Sequence, residues 1–139
     1  MLIRPFALSD LSTVVALWAD AGLTRPWNDP IKDIERKLTT QPELFLVGEH
    51  DGAVIATVMI GYDGHRGWVH YLAVAESRRG ERLGQALMAE AERLLTERGC
   101  PKINLMVRSG NERVIGFYES IGYGTDEVAV LSKRLIPDV

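Results

Sequence analysis

The stretch from Val69 to Leu95, VHYLAVAESRRGERLGQALMAEAERLL, limits the possible folds more than any other part of the chain. Val69–Val74 reads as a buried strand, and Leu83, Leu87, Ala91, Leu94 and Leu95 recur on one stripe at helical spacing. Between them, Glu76 to Arg82 carries Arg78, Arg79, Arg82 and Gly80, the composition of a tight basic turn. A helix entered straight from a strand through such a turn aims its first backbone N–H groups, unpaired and partly positive, at one spot. Phosphate oxygens suit that spot, so a diphosphate is its expected occupant. The turn is not a P-loop, which needs Gly-x-x-x-x-Gly-Lys followed by Ser or Thr. Nor is it a dinucleotide turn, because only Gly80 and Gly84 are present where Gly-x-Gly-x-x-Gly is required.

A chain of 139 residues with 46% hydrophobic and 25% charged residues suits one compact domain, expected to span residues 1–139. The formal charge of −3 argues against nucleic-acid binding, which wants a basic face, whereas the local arginines suit a small polyanion. One cysteine, Cys100, cannot form an internal disulfide and fits a reducing compartment. The first residues lack a signal-peptide pattern and no apolar run is long enough to span a bilayer, so the expectation is a cytoplasmic protein without a membrane partner. Three histidines and one cysteine form no recognisable metal-ligand cluster.

The rest of the chain has clear punctuation. Leu2 to Phe6 reads as a strand. Asp10 is an expected helix cap before Leu11, Val14, Val15 and Trp18, and Gly22 is the stop. Asp29-Pro30 starts a second helix carrying Ile31, Ile34 and Leu38. Asp51-Gly52 joins two apolar runs, Leu44–Glu49 and Val54–Ile60, as a hairpin. Lys102–Val107 is the next strand, Asn111 caps a helix bearing Val114, Phe117, Tyr118 and Ile121, and Val128–Leu135 is a last strand. The order β–α–α–β–β–β–α–β–α–β predicts a mixed α/β domain in which an antiparallel meander leads into one right-handed parallel crossover through the long helix.

Two patches carry a family resemblance. Arg79 and Gly84 fit the ends of the signature Gln/Arg-x-x-Gly-x-Gly/Ala of the GNAT superfamily of N-acetyltransferases, with Arg82 where the middle glycine usually stands. Asn111-x6-Tyr118-x3-Gly122-Tyr123 resembles the late helix of the same family. The resemblance covers nearly the whole chain. It implies a mostly antiparallel sheet splayed at the central strand, with acetyl-CoA as co-substrate. Its pantetheine arm is then expected along Leu72, Ala73 and Val74, and its diphosphate on Arg79, Gly80, Arg82, Leu83, Gly84 and Gln85. Asn111 is the further expected CoA contact. Family analogy alone adds a homodimer through the last strand.

The implied reaction is direct transfer of an acyl group from a thioester to an amine. An alkylamine titrating near ~10.4 must lose a proton, the oxyanion needs a donor, and the leaving sulfur needs an acid. Tyr118 is the implied acid, and the N–H of Leu72 or Ala73 the oxyanion donor. Glu49, Asp63, His65, His70 and Tyr71 are all candidates for the base, with a water chain as the alternative to any of them. Trp27, Tyr62, Asp63 and His70 are the residues expected around the acceptor, a small-molecule or peptide amine. A non-catalytic acyl-CoA-binding sensor and an unrelated phosphate-binding domain are the competing readings.

Overall fold

A computed structural model describes residues 1–138. They fall into two compact units, Met1–Leu105 together with Asp138, and Met106–Pro137. The larger unit contains β1 (Leu2–Pro5), α1 (Leu11–Asp20), α2 (Pro30–Leu38), β2 (Phe45–His50), β3 (Ala53–Tyr62), β4 (Gly67–Val74), α3 (Leu83–Glu97) and β5 (Ile103–Leu105). The smaller one contains α4 (Glu112–Ser120).

The strands form one open sheet in the order β1-β2-β3-β4-β5, antiparallel except for the β4–β5 pair. The first four follow one another as a meander, with Asp51-Gly52 turning β2 into β3 through two left-handed residues (φ 51° and 79°). The parallel pair needs a long connection, and the Ala-, Leu- and Glu-rich α3 supplies it. α2 begins where the sequence places it: the Asp29 carboxylate accepts from the amides of Ile31 (2.9 Å) and Lys32 (3.3 Å), and Pro30 occupies the first turn.

Helices cover both faces. Trp18, Val14 and Leu17 of α1 and Ile34 of α2 are buried with Phe45, Val47, Met59 and Ala73 of the sheet, and Phe45 stacks on Phe6 at 4.6 Å. α3 packs against β3 and β4 and buries Leu87, Met88, Ala91 and Leu95. Gly67 leaves no room for a side chain under α3, because a Cβ there would sit 2.7 Å from Leu95 Cδ1 and 3.0 Å from Cys100 Sγ. Overpacking of this kind typically costs about 1–3 kcal/mol, so Gly67→Ala is expected to lower the denaturation midpoint accordingly. An unchanged midpoint would mean that α3 shifts freely on the sheet.

Two expectations need correction. Asp10 starts α1, but its carboxylate does not cap that helix. It accepts from Arg4 (2.8 and 2.9 Å) and from the Ala7 amide (2.9 Å), because a guanidinium is the stronger partner. The strand expected at Val128–Leu135 is absent among the described residues. Its alternating apolar residues have no neighbouring strand within their own unit, and Val128, Val130, Leu131 and Leu135 are 63–93% exposed. A strand exists only through its ladder. No helix among the described residues is long and apolar enough to cross a membrane.

Candidate active site

β4 loses one neighbour partway along. Its ladder with β5 covers Gly67, Trp68 and Val69, while its ladder with β3 continues to Val74. Past Val69, the edge towards β5 has no described ladder partner. An open edge offers N–H and C=O groups to an extended ligand. Leu72, Ala73 and Val74 all lie in this stretch.

The same strand leads through a short 3-10 turn, Glu76–Arg78, into α3. Gly80 and Arg82 both take left-handed backbone, at φ 85° and 62°. A Cβ on Gly80 would meet nothing within 4 Å, so the glycine answers a conformational demand and not a steric one. The same conformation costs Arg82 about 1–2 kcal/mol. The ladder of α3 opens with the Ala86 amide donating to Arg82 O at 3.1 Å, and the amides of Leu83, Gly84 and Gln85 precede it. Arg79, Arg82 and Gln85 are exposed. Arg78 is engaged elsewhere: it donates twice to Glu81 (2.8 and 2.9 Å) and lies 2.9 Å from His50 Nδ1. First-turn amides flanked by two exposed guanidiniums suit a diphosphate.

The bases proposed from sequence separate clearly. Glu49 accepts from Arg4 Nε at 2.8 Å. Asp63 accepts the amides of Arg66 (2.6 Å) and His65 (2.8 Å), which hold its carboxyl below the usual range and close the β3–β4 turn. His65 sits exposed in that turn. Tyr71 donates its hydroxyl to Asp33 Oδ2 at 2.6 Å, and burial followed by that bond raises its pKa. His70 is left. Its ring lies over Trp68, with centroids 6.4 Å apart and planes 5° from parallel. One side of the residue is open to solvent, yet the surrounding protein depresses the pKa of the ring. Asp33 opposes that shift and Lys37 reinforces it. The lowered pKa favours a neutral ring, which can take a proton.

Among the other acceptor candidates, Trp27 is 50% exposed in the loop before α2. Tyr62 is fixed through its backbone by the Gln41 side chain, at 2.9 and 3.0 Å. Tyr62 pairs with Gly67 at the turn end of the hairpin, three register steps from His70 opposite Met59. Sequence reasoning named Asp29 as the start of α2 but missed Asp33 and Lys37. Asp29, Asp33 and Lys37 recur every four residues, which puts a cap, a carboxylate and a buried amine on one helical face. Lys37 is buried, and Nζ donates to Ile60 O at 2.5 Å.

A bulge interrupts β4. Thr57 pairs with Ala73 but Met59 pairs with His70, so Tyr71 and Leu72 together oppose Val58. Tyr71 has φ 53°. The extra residue shifts the side-chain parity, so that His70 and Ala73 lie on the same side of the strand.

In the smaller unit, Asn111 Oδ1 accepts from the Val114 amide at 3.4 Å and caps α4. Tyr118 is half-buried between the rings of Phe117 and Tyr123, at 5.0 and 5.7 Å, and burial pushes its phenol up to about 12.

The family model described as the acetyltransferase (GNAT) family matches residues 13–123. An acetyltransferase of Yersinia enterocolitica is 52% identical over 138 residues, covering 99% of this chain and 98% of its own. Two solved structures share the fold at lower identity. One is AAC(6')-Iy in complex with the bisubstrate analogue CoA-S-monomethyl-acetylneamine, with a TM-score of 0.78 and 16% identity over 97% of this chain and 98% of that one. The other is the NatB acetyltransferase complex bound to a bisubstrate inhibitor, with a TM-score of 0.77 and 23% identity over 89% and 72%.

Proposed function

This chain belongs to the GNAT family of acetyltransferases, and on that premise we propose that it moves an acetyl group from acetyl-CoA directly to a primary amine on a small molecule or a peptide. The observation that carries the reading is the continuity of two ligand-binding features on one strand. The open edge of β4 runs into the unladdered amides at the start of α3. The conjugate of CoA with acetylneamine held by AAC(6')-Iy supports both halves of the proposal, donor and amine acceptor.

On this reading the backbones of Leu72, Ala73 and Val74 hold the pantetheine arm. Arg79, Gly80, Arg82, Leu83, Gly84 and Gln85 hold the diphosphate, and Asn111 makes a further contact. Acetyl-CoA, when bound, supplies the acyl thioester. We assign proton acceptance from the amine to a ring nitrogen of His70. Trp27, Tyr62 and Asp63 are assigned to the acceptor's surroundings. Both reactants then meet in one cleft without a covalent enzyme intermediate.

Tyr118 is assigned to the leaving sulfur. A phenol near 12 keeps its proton at neutral pH but is a weaker acid than a thiol of pKa ~8.5. Its contribution is therefore a hydrogen bond from the hydroxyl more than complete proton transfer. One such bond is worth about 1–1.5 kcal/mol, so Tyr118→Phe is expected to lower kcat about tenfold with little change in KM. The primary assay is release of free thiol from acetyl-CoA against a panel of polyamines, aminoglycosides, amino acids and short peptides, with mass spectrometry of the products. Binding of CoA without turnover on any amine would convert the reading into that of a sensor.

A further inference from the structure

Among the described residues, four non-glycine residues have positive φ: Gln41, Asp51, Tyr71 and Arg82. Three of them lie where the chain reverses or enters a helix. Tyr71 alone stands inside a strand. Glycine is the usual occupant of the left-handed position in such a bulge. A tyrosine there persists only if its surroundings hold it.

They hold it from two helices. From α2, Asp33 Oδ2 accepts the Tyr71 hydroxyl at 2.6 Å. From α1, the fully buried Trp18 stacks on the Tyr71 ring, with centroids 3.7 Å apart and planes 12° from parallel. The Trp18 indole N–H donates to Thr57 Oγ1 at 2.9 Å, and that hydroxyl donates onward to Tyr71 O at 2.8 Å. Ring, hydroxyl and carbonyl of one strained residue are thus each fixed separately. The residues immediately following are Leu72, Ala73 and Val74, on the open edge of β4.

Resting on the acyl-transfer reading above, we infer that Asp33 is a positioning residue: by anchoring the Tyr71 hydroxyl it locks the β4 bulge and sets the backbone that receives the thioester arm. Asp33 itself touches no reacting atom. Its action runs through Tyr71 to the strand. α2 starts at the Asp29 cap, directly after the loop that carries Trp27, so the lock also ties the acceptor loop to the donor strand.

The test uses the intact chain with Asp33→Asn, Tyr71→Phe and the double variant. Amide hydrogen exchange at Ala73, opposite Thr57 in the β3 ladder, and at Ala75, which donates to Ile55 O at 2.8 Å, is read first, without substrate. Steady-state kinetics with acetyl-CoA and the best amine of the panel follow. Each single variant is expected to speed exchange at those two amides at least about tenfold and to lower kcat about tenfold, with KM for acetyl-CoA within about threefold. The double variant is expected to be no worse than the poorer single, since both act on one bond: asparagine keeps an acceptor but removes the charge that strengthens it, and phenylalanine removes the donor. Unchanged exchange would overturn the lock whatever the activity. Faster exchange with unchanged kcat, or single effects that multiply in the double, would overturn the positioning role. If the parent itself turns over no amine, the acyl-transfer reading fails and the exchange data still decide the lock. Asp33 is partly exposed, so Asp33→Asn carries the test should Tyr71→Phe fail to fold.

Discussion

Replacement of His70 by glutamine is expected to lower kcat/KM about a hundredfold near neutral pH while leaving CoA affinity unchanged. General base catalysis by a positioned side chain is worth about 10²–10⁴, and the lower end applies because His70 is open to solvent on one side and water can take over part of its task. Glutamine keeps polarity and approximate length but cannot accept and carry a proton. Asp33→Asn, by contrast, leaves the imidazole in place, so the two variants are separated by their pH profiles.

The sign of that profile follows from the environment of the ring. A base works only when unprotonated. Surrounding protein depresses the His70 pKa below its ordinary value of 6.5, with Lys37 acting in the same direction and Asp33 against it. Activity is therefore expected to hold as pH falls to about 6.5 and to be lost below it, as the ring gains its proton. In His70→Gln this acid limb should vanish, leaving only the rise at higher pH that comes from the amine substrate itself. An acid limb of the same midpoint in both proteins would assign it to another group. A loss under about threefold would favour the water chain over any dedicated base.

What could be read from the sequence divides along a physical line. Features written by local chemistry were legible: the Asp29-Pro30 helix start, the Asp51-Gly52 turn, the Asn111 cap and the entry to α3 all stand where their residues put them. Features that depend on a partner far away in the chain were not. Val128–Leu135 has strand-like composition, but composition cannot supply a neighbouring strand. The β4 bulge is hidden because Trp-Val-His-Tyr-Leu-Ala-Val reads as one uninterrupted buried strand, and only pairing with β3 reveals the shift of parity. Nothing in the sequence singles out Asp33, since its bond to Tyr71 spans 38 residues. For the site, the turn into α3 was visible because its backbone needs no particular side chain. Separating the five candidate bases needs the partners that only the fold supplies.

Truncating Trp18 to alanine should produce the largest loss of stability. Trp18 is fully buried, stacks on Tyr71 and Phe45, and donates its indole N–H to the buried Thr57 hydroxyl. Removing a buried tryptophan costs about 3–5 kcal/mol, against a total of about 5–15 kcal/mol for a domain. The midpoint of urea denaturation should fall in proportion, at an unchanged slope. Trp18→Phe separates the contributions. It keeps an aromatic face for Tyr71 but removes the N–H, and should cost about 1–3 kcal/mol for the lost bond and the smaller ring. The ordering matters because Tyr71 depends on that face: the alanine variant should also release the left-handed bulge and so lose kcat beyond its loss of folded protein. Should Trp18→Ala remain within about 1 kcal/mol of the parent, α1 would not be the element that clamps the sheet, and the strain at Tyr71 would have to be offset from α2 alone.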